Sequence, residues 1–332
     1  MTLQSVGKQL LNLACLVITL GVASCNQGNI NTKYIQYNQP QPINKNLPQV
    51  IATTSVLCDL TKQIARDTIN LYCLIPPGIN PATYQPTAED IQAIDNAKLI
   101  LYHGYNFEPN VIEFIKSSEN KAPKISVSQL AVTQPQRLSK NGKSYIEPHV
   151  WHNVNNTIKM VEVINSSLGK VSPKNQTAYT ETSDKLIKEL NELHNWVKDT
   201  LATIPNKNRK LLTTHEGMIY YVKAYNLPYK GSLPDVRNNN NLTDTKVKNL
   251  AKYIQETKVK TVFADNNTNL LSLAPVTNKA KVKLFDRQLY IDGLGKPGSD
   301  GETYQQMIDA NTRSIVEGLG GSYLKFENNI GR

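Results

Sequence analysis

The chain has 332 residues, of which 39% are hydrophobic and 19% charged, and its formal net charge is +10. That length is long for one domain and comfortable for two, with apolar content enough for a globular core in each. From Pro205 onward 19 Lys/Arg face 12 Asp/Glu, a local excess of +7, yet these basic residues are not interleaved with aromatics, which argues against a nucleic-acid binder. A solvated basic face is the plainer explanation, and attraction to an anionic membrane surface or an acidic partner the sharper one.

The first elements concern export. Lys8 gives a weakly positive start, Leu10 to Ala23 is almost wholly apolar, and small residues follow. This run is shorter than the ~20 residues a membrane-spanning helix needs, so residues 1–24 are expected to be a cleaved leader. Val22-Ala23-Ser24-Cys25 resembles the lipobox of bacterial lipoproteins, which implies cleavage before Cys25 and lipid anchoring through its thiol. Residues 25–47, rich in Asn, Gln and Pro, are expected to be a solvated tether. Cys15 falls in the leader, which leaves Cys58 and Cys73. Outside the cytosol these either oxidise to a disulfide or remain as two buried thiols.

From residue 48 short β-branched runs alternate with helical periods. The pattern predicts strands at 50–54, 69–75, 98–102 and 124–127, with helices at 57–67, 87–97 (opened by the capping-box run Thr87-Ala88-Glu89-Asp90) and 108–117. Between Pro173 and Pro205 there is no Gly or Pro, and Leu186, Leu190, Leu193, Val197 and Leu201 recur at helical spacing. Thirty residues of helix would span ~45 Å, more than one small sheet needs as a crossover. Strands at 210–214, 260–264 and 281–285 and helices at 216–225, 243–258 and 303–319 then repeat the first pattern. The expected fold is α/β: two lobes, 48–172 and 206–332, each a parallel sheet flanked by helices, joined by one long rigid helix within 173–205.

Three side chains stand out as metal ligands: His149 in Glu147-Pro148-His149-Val150-Trp151-His152, His215 in Thr214-His215-Glu216-Gly217, and Asp292 in Leu289-Tyr290-Ile291-Asp292-Gly293. His215 and Asp292 lie just past strand-like runs, where open parallel sheets place their ligands. Two imidazoles and a carboxylate suit a borderline divalent metal such as zinc or manganese. Ligands so widely spaced favour a cleft between lobes over a local metal finger.

With Leu74-Ile75-Pro76-Pro77-Gly78-Ile79-Asn80-Pro81-Ala82-Thr83-Tyr84-Gln85-Pro86-Thr87 preceding them, these motifs in this order resemble the metal-binding lipoproteins of manganese and zinc ABC importers, the group that includes adhesion lipoproteins. The resemblance runs from Val50 to Leu319 and implies two lobes, capture of a divalent metal in the cleft, delivery to an ABC permease, and no organic cofactor. A monomer is the expected state. Family members hold metal at four positions, of which His149, His215 and Asp292 match the second, third and fourth. The first is a family histidine, and here it is Ala82; Gln85 stands where Glu is common. Water, Gln85, His103, His152 or Glu216 are the candidates to fill the vacancy. The alternative is a metal-free member acting as an adhesive or structural surface lipoprotein. An enzyme is not expected: His215-Glu216 lacks the second histidine of H-E-x-x-H, Pro297 spoils a G-x-S-x-G elbow, and no P-loop or dinucleotide fingerprint exists.

Overall fold

The computed structural model describes residues 44–140, 142–236 and 241–327. The expected leader 1–24, the acylation site Cys25 and the tether as far as residue 43 lie outside the described residues.

The first lobe is built on four parallel strands in the order β2-β1-β3-β4: β1 Gln49–Ala52, β2 Asn70–Cys73, β3 Leu99–Tyr102 and β4 Lys124–Ser126. Helix α1 (Ser55–Ala65) joins β1 to β2, α2 (Ala88–Asn96) joins β2 to β3, and α3 (Pro109–Ser117) joins β3 to β4. Thr87 and Asp90 complete the capping box at the start of α2. After β4 come the short α4 (Val127–Ala131) and an antiparallel hairpin of β5 (Arg137–Lys140) and β6 (Lys143–Ile146).

Two helices lead to the second lobe. α5 (Val154–Val171) is followed by α6 (Gln176–Ala202), whose 27 residues span ~40 Å. α6 packs against α1 and α5 of the first lobe and against the last helix of the chain. The second lobe repeats the strand order of the first. β7 (Leu211–Thr213) pairs in parallel with β8 (Tyr229–Ser232) on one side. On its other side Thr213 bridges to Phe263, just after β9 (Thr261–Val262), which pairs with β10 (Lys283–Leu284). The covering helices are α7 (Ile219–Ala224), α8 (Asp244–Thr257), α9 (Leu270–Ala280) and α10 (Tyr304–Gly318).

Strand alternation sends the two faces of each sheet to different places. Val50, Ala52, Leu99 and Leu101 of the first sheet, with Leu211 and Phe263 of the second, enter one apolar cluster that also takes in α1, α5, α6 and α10. Ile51 and Ile100 face outward onto α2 and α3, and Leu212, Val262 and Ala264 onto α8 and α9. One core therefore runs through both lobes. Polar bonds reinforce it: Leu294 N–H donates to Ser55 Oγ (3.0 Å), Tyr304 N–H to Asp59 Oδ2 (2.9 Å) and Tyr304 Oη–H to the Trp151 carbonyl (2.7 Å).

Of the two readings for the remaining cysteines, the disulfide is the one formed: Cys58 on α1 is bonded to Cys73 at the end of β2. Among the described residues no helix is long and apolar enough to cross a membrane.

Candidate metal centre

Each of the three singled-out side chains stands at the end of an extended run. His149 follows β6 and opens a single 3-10 turn, Val150–His152. Val150 and Trp151 in that turn are buried, which roots it in the shared core. The imidazole rests against Phe107 and Trp151, with ring centroids 5.1 and 5.2 Å away. His215 lies two residues past β7 and opens the 3-10 turn Glu216–Met218; its carbonyl accepts the Thr213 hydroxyl at 2.6 Å. Asp292 lies three residues past Leu289, which bridges in parallel to Asp265.

The fold brings these three together. His149 Nε2 is 3.2 Å and His215 Nε2 3.3 Å from the same oxygen, Asp292 Oδ1. One donor atom from each residue lies within 4.8 Å of the others. Bonds of about 2.0–2.1 Å at tetrahedral angles give ligand–ligand edges of about 3.3 Å, which the two edges to Asp292 Oδ1 match. His149 and Asp292 are buried, while the His215 side chain keeps 24% of its surface.

Around this trio the neighbours fix orientation. His149 Nδ1–H donates to Glu147 Oε1, and the same oxygen accepts the His149 backbone N–H at 3.0 Å. In the neutral ring this leaves the Nε2 lone pair directed at Asp292. Burial pushes the Glu147 carboxyl up, but the adjacent His149 and its hydrogen bonds outweigh burial and hold the group at about 2. Asp292 Oδ2 accepts from Asn267 Nδ2 at 3.0 Å. Gly217 leaves no room for a side chain: a Cβ there would come within 2.5 Å of Ile291 Cγ2 and 2.9 Å of the His149 ring.

The residues weighed for the fourth position lie differently. His103 is fully buried, with Nε2–H donating to the Pro148 carbonyl (2.7 Å) and Nδ1 accepting from Ser128 (3.1 Å). Burial lowers its pKa to about 3. His152 is likewise buried and lowered to about 3 for the same reason, with Nε2–H donating to the Ile291 carbonyl at 2.9 Å. Both are neutral supports at neutral pH. Glu216 accepts from Tyr145 of β6 through Oε2 and from Ser232 through Oε1. Ala82 and Gln85 are exposed, in and just beyond the 3-10 turn Pro81–Thr83. His103, His152 and Glu216 do not join the trio, which is the one grouping of three or more His, Cys, Asp or Glu donors among the described residues.

Sequence reasoning found the three converging residues and missed two that orient them. The Glu-x-His spacing of Glu147 and His149 was a local signal for the first. Asn267 stands 25 residues from Asp292, and nothing in the sequence joins them.

The family model described as ZnuA, zinc-uptake complex component A, periplasmic, matches residues 50–318. A metal ABC transporter substrate-binding lipoprotein of Lactococcus lactis is 28% identical over 313 residues, covering 92% of this chain and 95% of that protein. The manganese ABC transporter substrate-binding lipoprotein scaA of Streptococcus gordonii is 28% identical over 309 residues, covering 92% and 96%. Among solved structures, the periplasmic zinc binding protein TroA of Treponema pallidum superposes with a TM-score of 0.73 at 25% identity, covering 82% of this chain and 99% of that one.

Proposed function

The chain belongs to the family of the periplasmic zinc-uptake complex component A, and from that premise we propose that it captures a divalent transition metal, zinc or manganese, for an ABC permease. The named relatives are metal or manganese ABC transporter substrate-binding lipoproteins. The single observation that carries the reading is the convergence of His149, His215 and Asp292 from separate parts of the chain onto one point. Their Nε2, Nε2 and Oδ1 atoms are the ligands, and a water completes the set where Ala82 replaces the family histidine. Capture is binding without chemistry. The cation neutralises the Asp292 carboxylate and takes the two imidazole lone pairs, so lowering the pH into the imidazole range releases it.

Under the same reading residues 1–24 are removed, Cys25 carries the lipid, residues 25–47 tether the protein, and the lobes 48–172 and 206–332 flank the helix within 173–205. The protein acts as a monomer on the outer side of the membrane and meets its permease there. The shared core and the bonds between lobes support modest closure and no wide hinge swing.

The test is metal content. Purified wild-type protein dialysed against zinc or manganese should retain one ion per chain. His149→Ala and Asp292→Ala should each weaken retention by roughly a hundredfold or more, beyond what loss of an outer-shell partner costs. Unchanged metal content in both variants would remove the reading.

A further inference from the structure

The two candidate metals differ in how many donors they ask for. Zinc accepts four, including imidazole nitrogen, whereas manganese favours more numerous oxygen donors. The number this protein can present turns on the second oxygen of Asp292. Oδ1 faces both imidazoles, but Oδ2 accepts from the Asn267 side-chain amide at 3.0 Å. A carboxylate offers acceptors alone, so the amide must face it with its NH2 group.

Asn267 is itself held in place. Its backbone N–H donates to Asp265 Oδ1 at 2.9 Å, and Asp265 is completely buried. Asp265 Oδ2 accepts the hydroxyls of Thr214 and Thr268, each at 2.7 Å, and Asp265 N–H donates to Thr214 Oγ1 at 2.8 Å. Thr214 directly precedes His215. One buried carboxylate thus fixes the backbone leading to one imidazole and the amide that occupies the carboxylate opposite it. Glu216, beside His215, is bonded to Tyr145 and Ser232, and the methyl group of Ala82 donates nothing.

Resting on the metal-capture reading above, we infer that Asn267 is a specificity-determining residue. By anchoring Oδ2 it orients Asp292 so that Oδ1 is the oxygen presented beside both imidazoles, and the protein offers three donors. The cation then completes a four-coordinate shell with water, which selects zinc over manganese. Asn267 does not touch the metal and acts through Asp292.

Two variants test this in the intact exported protein. Asn267→Ala removes the amide and lets both Asp292 oxygens turn toward the cation. Asn267→Asp keeps the shape and replaces the donor by acceptors, so the bond to Asp292 Oδ2 is lost, and it serves where the alanine variant folds poorly. Dialysis against equal zinc and manganese, read by elemental analysis, should show the zinc-to-manganese ratio falling about tenfold or more in either variant, the scale on which outer-shell partners act. Loading with cobalt(II) alone gives an independent signature: wild type should show the intense visible absorption of a four-coordinate ion, and the variants the weaker bands of higher coordination. A wild-type ratio and cobalt spectrum retained in the folded variants would overturn the role of Asn267 and leave metal capture standing. A wild-type protein that retains neither zinc, manganese nor cobalt would bring down metal capture itself, and this inference with it.

Discussion

The Nδ1–H of His149 donates to a carboxylate two residues back in the chain, and that bond decides which ring nitrogen is left facing Asp292. A protonated His149 and its hydrogen bonds hold the buried Glu147 carboxyl at about 2, and a carboxylate in that position raises the basicity of the ring it supports. Glu147→Gln keeps an acceptor near Nδ1 and removes the charge; zinc affinity measured by calorimetry should fall about tenfold, the lower end for such partners. An unchanged affinity would reduce Glu147 to a packing residue. His149, His215 and Asp292 were legible in the sequence because each sits in a motif, His215 and Asp292 also just past strand-like runs. Asn267 was not, since a hydrogen bond between residues 25 positions apart leaves no periodic trace. Nor does the sequence reveal that His103, His152 and Glu216 are each engaged with other partners.

Among the elements, the parallel strands other than β8 and the long helix were legible from β-branched runs and from leucines at helical spacing, with ends displaced by at most three residues. Other elements escaped. α5 carries Asn155, Asn156, Ser166, Ser167 and Gly169, poor helix formers whose conformation is decided by burying Met160, Val161, Ile164 and Leu168. α9 contains Pro275, which reads as a breaker. β8 is the short run Tyr229–Ser232 with a glycine inside it. The hairpin of β5 and β6 has little apolar alternation, yet Asn141-Gly142 between its strands is a strong two-residue turn signal. That hairpin has a use: Tyr145 and Gln136 at its base bond Glu216 and Tyr220 of the second lobe, beside His215. The Cys58–Cys73 bond ties α1 to the end of β2 across a separation of 15 residues. Closing a loop of that size contributes about 3 kcal/mol by restricting the unfolded chain. Urea unfolding with and without reductant should show a loss of that order, and equal midpoints would mean the bond restrains little.

At the scale of the whole molecule, the lobes share a core and are pinned at the start of α10, where buried Asp59 accepts from Tyr304 N–H and Gln63. Burial raises the Asp59 carboxyl from 3.8 to about 6, against the pull of those two hydrogen bonds. A carboxyl raised on folding contributes stability below pH ~4 that is lost as pH climbs through ~6. Asp59→Asn carries no charge at any pH, so the difference in unfolding midpoint between wild type and variant should shift in the variant's favour between pH 4 and pH 7. A constant difference would show that Asp59 does not titrate in that window. The two-lobe plan was legible because the second half of the sequence repeats the alternation of the first. Their common core was not, since strand alternation tells that a sheet has two covered faces but not what covers them.

The measurement that bears most directly on the whole account is a crystal structure of the zinc-soaked protein with anomalous scattering collected at the zinc edge. The account predicts one peak bonded to His149 Nε2, His215 Nε2 and Asp292 Oδ1 at about 2.0–2.2 Å, with water as the remaining ligand. A peak elsewhere, or none at that point in fully loaded crystals, would contradict it.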